Sequence, residues 1–539
     1  MLEVAFRTLS DPAALIGAQQ KLLQRTTAMW QASAEALLAT AQGAEAATTD
    51  RRFADPAWNS PVPDLTRRLY AIAAAGAQSL AGDIPVSDAQ QKRRIEFFTA
   101  ALIDALAPSN TPALNPVAWD EMIKSEGESL VRAARNLAAD LKRSNGVLAI
   151  SQTDLSQFAV GENLATTPGK VVFRNELLEL IQYAPATPQV REIPLLIVTP
   201  WINKFYIVDL QPANSMVRWL SEQGFTVFVT SWVNPDASHA DTSFEDYAKR
   251  GVLMAIGKVL EQTGQQKANV VGYCAGGTLL ACAMAYLAAL KVDSPINSAT
   301  FFAAQQDFSE AGDLLLFSDE AWIADVEAEM DRAGGVLPGH LMAGAFNQLR
   351  ANDLIWAPFI DNYLLGKAPK AFDLLFWNSD STRMPKRMHL WYLREFYQNN
   401  RLSQGEVVFD GVKLDLGAVT TPVYVQASKE DHISPFGSVY RGARLFGGPV
   451  TFTLAGSGHI AGVINHPAKT KYQHWLNSEL PDEAAQWFAQ AEEHPGSWWP
   501  HWSGWLHARA GEFVAARDPA AGPLAPEADA PGSYVLVRA

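Results

Sequence analysis

Three residues of this chain have the types and the spacing for covalent acyl transfer: Cys274, Asp431 and His459. Cys274 lies in Gly272-Tyr273-Cys274-Ala275-Gly276, after the apolar run ANVVGY and before the small-residue stretch GGTLLACAMAYLAAL, which reads as strand, sharp turn and helix. Such a turn presses strand and helix so close that a β-carbon would clash, which accounts for the glycines on either side of the cysteine. A thiol there stands at a helix N-terminus, where the dipole favours an anion. G-x-C-x-G by itself also describes a buried cysteine in a tight turn. An acid and then a histidine, each just after a strand, are what a nucleophile in this position requires. TPVYVQASKEDHISP ends a strand at Asp431, 157 residues after Cys274, and VTFTLAGSGHIAG ends the next at His459, 28 residues further on.

In this arrangement His459 takes the thiol proton and later serves as base toward an incoming hydroxyl, while Asp431 fixes its tautomer and stabilises the imidazolium. His432 is assigned a supporting role and Glu430 is read as a solvated neighbour. The oxyanion hole is expected from the amide of Ala275 and one amide of the loop in IPLLIVTPWINKFYIVDL, where Trp201, Ile202 and Asn203 leave the strand and Ile202 is the choice. Lys204 is either a contact for a cofactor phosphate or a solvated surface charge. A cysteine suits thioester exchange, because one thioester replaces another at little free-energy cost and the acyl group stays reactive. If that group itself carries a hydroxyl, transfer can repeat, and repetition is polymerisation.

The elements that must hold these residues are legible in the periodicity. From about residue 168, KVVFRN, LLELIQYAP, IPLLIVTP, FTVFVTSW, ANVVGY, NSATFFAA, TPVYVQAS and VTFTLAG are short strand-like runs separated in several places by helical segments, which predicts a mostly parallel sheet in the α/β class. Over 110 residues lie between NSATFFAA and TPVYVQAS, helical in pattern and rich in aromatics such as Trp356, Trp391, Tyr392 and Tyr397, an insertion read as a cap or lid. The first 160 residues read as helices, beginning with Asp11 as N-cap and Pro12 behind it, with apolar pairs Leu15/Ile16, Leu22/Leu23, Met29/Trp30 and Leu37/Leu38 forming one stripe. Further helices are expected near 64–80, 87–106 and 117–143. The Ala/Pro/Gly-rich stretch 515–532 is expected to be flexible, with SYVLVRA after it able to add a strand.

Composition narrows the classes. At 539 residues two domains are the natural division, and a net charge of -14 argues against nucleic acid. The 16 tryptophans suit a large core or an apolar ligand. No signal-length or 18-residue apolar run occurs, so a cytoplasmic, non-spanning protein is expected. Cys274 and Cys282 fall eight residues apart on one helix without a ligand quartet, so neither a disulfide framework nor a zinc site is expected.

Beyond the triad, DRRFADPAWN (50–59), DALAPSNTPALNP (104–116), TPWINKFYIVDLQPANS (199–215), VTSWVNPD (229–236), GYCAGGT (272–278), FNQLRANDLIW (346–356), FWNSDSTRMP (376–385), SKEDHISP (428–435), GSGHIAGVINHPAK (456–469) and GSWWPHW (496–502) together resemble the polyhydroxyalkanoate synthases, in particular class I. Gln305 and Gln306 depart from that pattern. The resemblance implies an α/β-hydrolase fold with a large helical cap at about 309–418 inside a catalytic domain of 168–539, preceded by an all-helical N-terminal domain of 1–167 that supports granule association or dimerisation. It implies a homodimer on cytoplasmic polyester granules, with granule-associated proteins as further partners. The implied reaction polymerises short-chain (R)-3-hydroxyacyl-CoA, such as 3-hydroxybutyryl-CoA, with release of CoA. No cofactor beyond that CoA thioester substrate is implied, and the family's nucleophile, carboxylate and histidine fall on Cys274, Asp431 and His459. A cysteine-dependent acyl-CoA thioesterase on the same scaffold, and a non-catalytic granule-surface interaction protein, are the competing readings.

Overall fold

The computed structural model describes residues 24, 27–29, 31–38, 50–86, 88–144, 146 and 148–539. Asp11, Pro12 and the stripe pairs at 15/16 and 22/23 therefore lie outside the described residues. The chain divides into two compact units, one holding the described residues up to Asp154 together with Ala345–Ala371, the other holding Leu155–Gly344 and Phe372–Ala539.

The larger unit is built on one sheet of eleven strands: β1 Gly169–Arg174, β2 Leu178–Tyr183, β3 Leu195–Val198, β4 Val227–Trp232, β5 Ala268–Tyr273, β6 Ile296–Phe302, β7 Val423–Ser428, β8 Val450–Ala455, β9 Gln473–Leu476, β10 Glu492–Pro495 and β11 Ala528–Asp529. All eight predicted strands are among them. Their order is β10-β9-β8-β7-β6-β5-β3-β4-β2-β1-β11. The middle, from β4 through β3, β5, β6 and β7 to β8, is parallel, and both margins are antiparallel. Every residue of β3, β5 and β7 is buried, as expected of parallel strands covered on both faces, and this is why they read as nearly continuous apolar runs. In a parallel sheet all strands end on the same side, so the loops after β3, β5, β7 and β8 gather at one edge.

The nucleophile turn is the tightest point of this packing. A β-carbon on Gly272 would stand 2.4 Å from Gly277 Cα, and one on Gly276 would stand 2.5 Å from Val198 O and 2.7 Å from Thr199 O. The strand, the loop after β3 and the buried helix Ala275–Ala289 are thus in backbone contact.

Between β6 and β7 the chain makes the long helical insertion, with Glu320–Arg332, Asp373–Ser379 and Lys386–Tyr392 among its helices. Its aromatics fuse with those after β3 and β4: Trp201 lies 5.7 Å from both Phe244 and Tyr392, and Phe308 stacks on Phe396 at 5.0–6.2 Å from the rings of Tyr392 and Tyr397. The central stretch Ala345–Ala371 belongs to the other unit. There it packs with the N-terminal helices, where the buried carboxylate of Asp140 accepts from the Tyr363 hydroxyl and the Ser151 amide, and Asn136 Nδ2 donates to the carbonyls of Asn362 and Lys367.

Those helices are Pro61–Gly82, Ala89–Ala105, Pro116–Lys124 and Glu128–Arg143. The span 117–143 is two helices, because Glu126 (φ 51) and Gly127 (φ 86) adopt left-handed conformations that end the first. Asn115 caps it, its side chain accepting from the amides of Val117 and Ala118 ahead of Pro116 at the first position.

The C-terminal region corrects the expectation of flexibility. Arg517 donates to the carbonyls of Arg191 (3.1 Å) and Glu192 (2.7 Å), Leu524 N donates to Gln262 Oε1 (2.9 Å), and Ala528–Asp529 is the added strand, on β1. SYVLVRA forms a turn, Tyr534–Leu536, with Val535 buried. The Ala/Pro/Gly-rich stretch 515–532 is held by main-chain hydrogen bonds to the sheet edge, Glu527 N to Val171 O and Ala530 N to Gly169 O among them, which composition does not reveal.

Replacing Gly276 by Ala should destabilise the fold by at least about 2 kcal/mol, since the obstructing atoms are backbone and cannot swing aside. Thermal melting of Gly276→Ala checks this, and a melting temperature equal to the parent's would contradict the close approach.

Candidate active site

Cys274 closes β5 and caps the following helix with φ 50 and ψ −126, a conformation a non-glycine residue holds only where its surroundings enforce it. Here its N–H donates to Phe302 O on β6 (2.8 Å), and its carbonyl accepts from the amides of Gly277 (2.8 Å) and Thr278 (3.3 Å). The strained turn lifts the side chain out of the sheet edge, and the thiol is half-buried. Cys282, two helical turns on, is wholly buried, and that burial pushes its thiol far above the usual range. Only Cys274 is therefore placed for chemistry.

Asp431 stands on the loop after β7 and His459 on the loop after β8. Their side chains meet at 2.7 Å, His459 Nδ1 to Asp431 Oδ2, and the carboxylate has no exposed surface. The other carboxylate oxygen accepts from the amides of Ile433 and Ser434, each at 2.8 Å. The His459 loop is fixed from behind by two indoles, Trp498 Nε1 to Gly462 O and Trp499 Nε1 to Val463 O, both 2.8 Å. With Trp502 these tryptophans are fully buried, so part of the tryptophan excess is core that shapes the site.

Burial, the largest single influence, lowers the pKa of His459, but the charge of Asp431, the charge of Cys274 and hydrogen bonds to both together outweigh it. The balance lies well above the ordinary histidine value. Such an imidazole holds a proton beside a sulfur anion and returns it to a leaving group.

The expected oxyanion donors lie on the helix after Cys274 and on the loop after β3. Ala275 opens the helix, so its N–H is among the first four that have no partner within the helix. Ile202 is half-buried on the loop after β3, and the Thr382 hydroxyl lies 2.6 Å from its carbonyl and 2.8 Å from that of Trp201. His432 is half-buried next to Asp431. Lys204 is neither on the surface nor open to a phosphate: it is 3 % exposed, and its ammonium donates to main-chain carbonyls of the C-terminal segment. Two tyrosines of the insertion complete the surroundings in a way that spacing did not reveal. Tyr392 and Tyr397 are both desolvated, which raises their pKa values, and the charge on Cys274 raises them further. They stay protonated, and hydrogen bonds tie Tyr392 to Tyr397 and to Thr278. Tyr392 ends the α-helix Lys386–Tyr392 and Tyr397 lies on the π-helical turn Leu393–Gln398 that follows, a change of period that hid their proximity from a 3.6-residue reading.

Because His459 binds its proton more tightly folded than unfolded, its contribution to stability is complete below about pH 6.5, the unfolded value, and fades as pH rises through the higher folded value. Asp431→Asn removes the largest cause of that rise. The melting-temperature gap between parent and variant should be widest near pH 6 and narrow toward alkaline pH, and turnover should fall on the order of 1,000-fold because asparagine supports the wrong tautomer. A gap that widens with pH would contradict the assignment.

Comparison with known proteins gives the family. Residues 49–220 match the family model for the N-terminus of poly-beta-hydroxybutyrate polymerase (PhaC), and residues 195–465 match the alpha/beta hydrolase fold. The poly(3-hydroxyalkanoate) polymerase subunit PhaC of Rhizobium meliloti is 46% identical over 98% of this chain and 87% of its own length. The poly(3-hydroxyalkanoate) polymerase of Methylorubrum extorquens is 45% identical over 100% and 89%, and the PhaC subunit of Cupriavidus necator 44% over 94% and 85%. Among solved structures, a meta-cleavage product hydrolase from Pseudomonas fluorescens overlaps 56% of this chain and 92% of its own at 12% identity and a TM-score of 0.31. The chain belongs to the poly(3-hydroxyalkanoate) polymerase family.

Proposed function

We propose that this enzyme polymerises (R)-3-hydroxyacyl groups taken from CoA thioesters, with Cys274 as covalent carrier. The observation that carries the reading is the 2.7 Å pairing of fully buried Asp431 with His459, next to a cysteine held in a strained turn at a helix N-terminus. The names of the relatives supply the product class.

In the first half-reaction the Cys274 sulfur attacks the thioester carbonyl, and the oxyanion is met by the amides of Ala275 and Ile202. The C–S bond to CoA breaks, His459 gives its proton to the departing thiolate, and the acyl group remains on Cys274 as a thioester. In the second, His459 takes the proton of a 3-hydroxyl on the next monomer or chain. That oxygen attacks the acyl carbonyl, an ester forms, and the cysteine sulfur is released. His432 supports the loop that carries Asp431. The aromatic layer around Trp201, Phe308 and Tyr392 favours a hydroxyacyl chain over water, which separates transfer from hydrolysis.

The substrate in this reading is short-chain, the working form a homodimer, and the site of action the surface of a cytoplasmic polyester granule. Exposed apolar side chains on the N-terminal helices, including Val62 (74 %), Leu106 (67 %) and Ile123 (68 %), support an apolar docking role for that unit. Among the described residues no helix is long and apolar enough to cross a membrane.

The test is incubation with (R)-3-hydroxybutyryl-CoA, with CoA thiol and acyl product both measured. Insoluble polyester is the expected product. Free 3-hydroxybutyrate in step with CoA would make the protein a thioesterase, and no CoA release across a series of chain lengths would leave a non-catalytic granule protein. Cys274→Ala should abolish CoA release, whereas Cys282→Ala should retain most of it. The reverse pattern would overturn the choice of nucleophile.

A further inference from the structure

The loop after β3, residues 199–204, is tied down almost residue by residue. Thr199 O accepts from Trp232 Nε1 (2.7 Å), the carbonyls of Trp201 and Ile202 share the Thr382 hydroxyl, and Lys204 O accepts from Trp377 Nε1 (2.7 Å). In a trans peptide the C=O and the following N–H point in opposite directions, so fixing Trp201 O also aims the Ile202 N–H. The last tie is the least ordinary. The Lys204 ammonium is enclosed and donates to Val535 O (2.9 Å) and Val537 O. An ammonium out of water is tolerated only while such acceptors are present.

The segment that supplies them, residues 533–539, is itself anchored by a buried charge. Glu179 on β2 has no exposed side-chain surface, pairs with Arg174, and accepts from the amides of Ser533 and Tyr534 at about 3.0 Å and from the Ser533 hydroxyl at 2.8 Å. Asn234 closes the circuit: its Nδ2 donates to Val537 O (3.0 Å) and its Oδ1 accepts from the amide of Arg383 (3.0 Å), next to Thr382. Tail, insertion and loop thus hold one another. Without the tail carbonyls, Lys204 keeps only the facing charge of Asp380, and the loop loses its tie to the tail.

We infer that residues 533–539 form a strap that sets the loop after β3 for acyl transfer, and that Lys204 is a positioning residue acting through the Ile202 amide. The inference rests on the reading that this amide receives the oxyanion. It predicts a defect in turnover rather than in substrate binding or in the nucleophile itself.

Two variants test it in the full-length protein's assay with (R)-3-hydroxybutyryl-CoA: Lys204→Met, which keeps volume and removes the ammonium, and a chain ending at Gly532. Iodoacetamide reports on both, since Cys274 reacts in the folded protein and buried Cys282 only when the fold opens. With Cys282 protected, kcat per reactive Cys274 should fall at least about tenfold, KM should stay within about threefold, and Cys274 should alkylate at nearly the parent rate. If Lys204→Met exposes Cys282, the shorter chain decides. A folded variant with kcat within about threefold of the parent would overturn the strap, and so would equal losses of kcat and Cys274 alkylation. A parent that releases no CoA overturns the proposed function and the inference with it, whereas an active parent beside an unimpaired variant overturns the inference alone.

Discussion

The arrangement turns on a carboxylate taken wholly out of water. Asp431 is tolerable there because it has three donors: the imidazole of His459 and the amides of Ile433 and Ser434. That requirement fixes the loop after β7, and the loop after β8 must then bring its histidine to within hydrogen-bonding distance. The two indoles behind His459 keep it there, and the charges of Asp431 and Cys274 with their hydrogen bonds hold its pKa up despite burial. Chemistry at Cys274 depends on this chain of constraints more than on any property of the cysteine alone.

The sheet makes the constraint affordable in conformational terms. Parallel strands deliver the elbow after β5, the acid after β7 and the histidine after β8 to one edge, although they are far apart in sequence. Packing at the elbow is close enough that strand, helix and the loop after β3 touch through backbone, so Cys274 and that loop are held in one rigid unit. The insertion packs aromatic rings against the loop after β3, and burial keeps its Tyr392 and Tyr397 neutral. In the proposed reaction, a thioester on Cys274 would be shielded there from water.

Much of this was legible in the sequence because strand ends and glycine spacing are local. ANVVGY followed by Gly272 and Gly276 announces a turn that only small residues permit, and the structure meets that need with clashes of 2.4 to 2.5 Å for any β-carbon. Asp431 and His459 each follow an apolar run, and the strand ladder puts both runs side by side. Other features depend on distant partners that no window contains. Lys204 reads as a surface charge until the C-terminal carbonyls, more than 330 residues on, are seen to enclose it. The stretch 515–532 has the composition of a linker, yet Arg517 and Leu524 bond to the sheet and its helix. Tyr392 and Tyr397 lie on either side of a change from α-helix to π-helical turn, where a regular period misplaces them.

The most direct measurement is peptide mapping of the enzyme quenched during turnover of (R)-3-hydroxybutyryl-CoA. The account predicts a hydroxyacyl thioester on the peptide bearing Cys274, removable by hydroxylamine, with Cys282 unmodified. CoA release in rapidly quenched samples that never show an acyl group on Cys274 would contradict covalent transfer and move the chemistry to a bound water or hydroxyl.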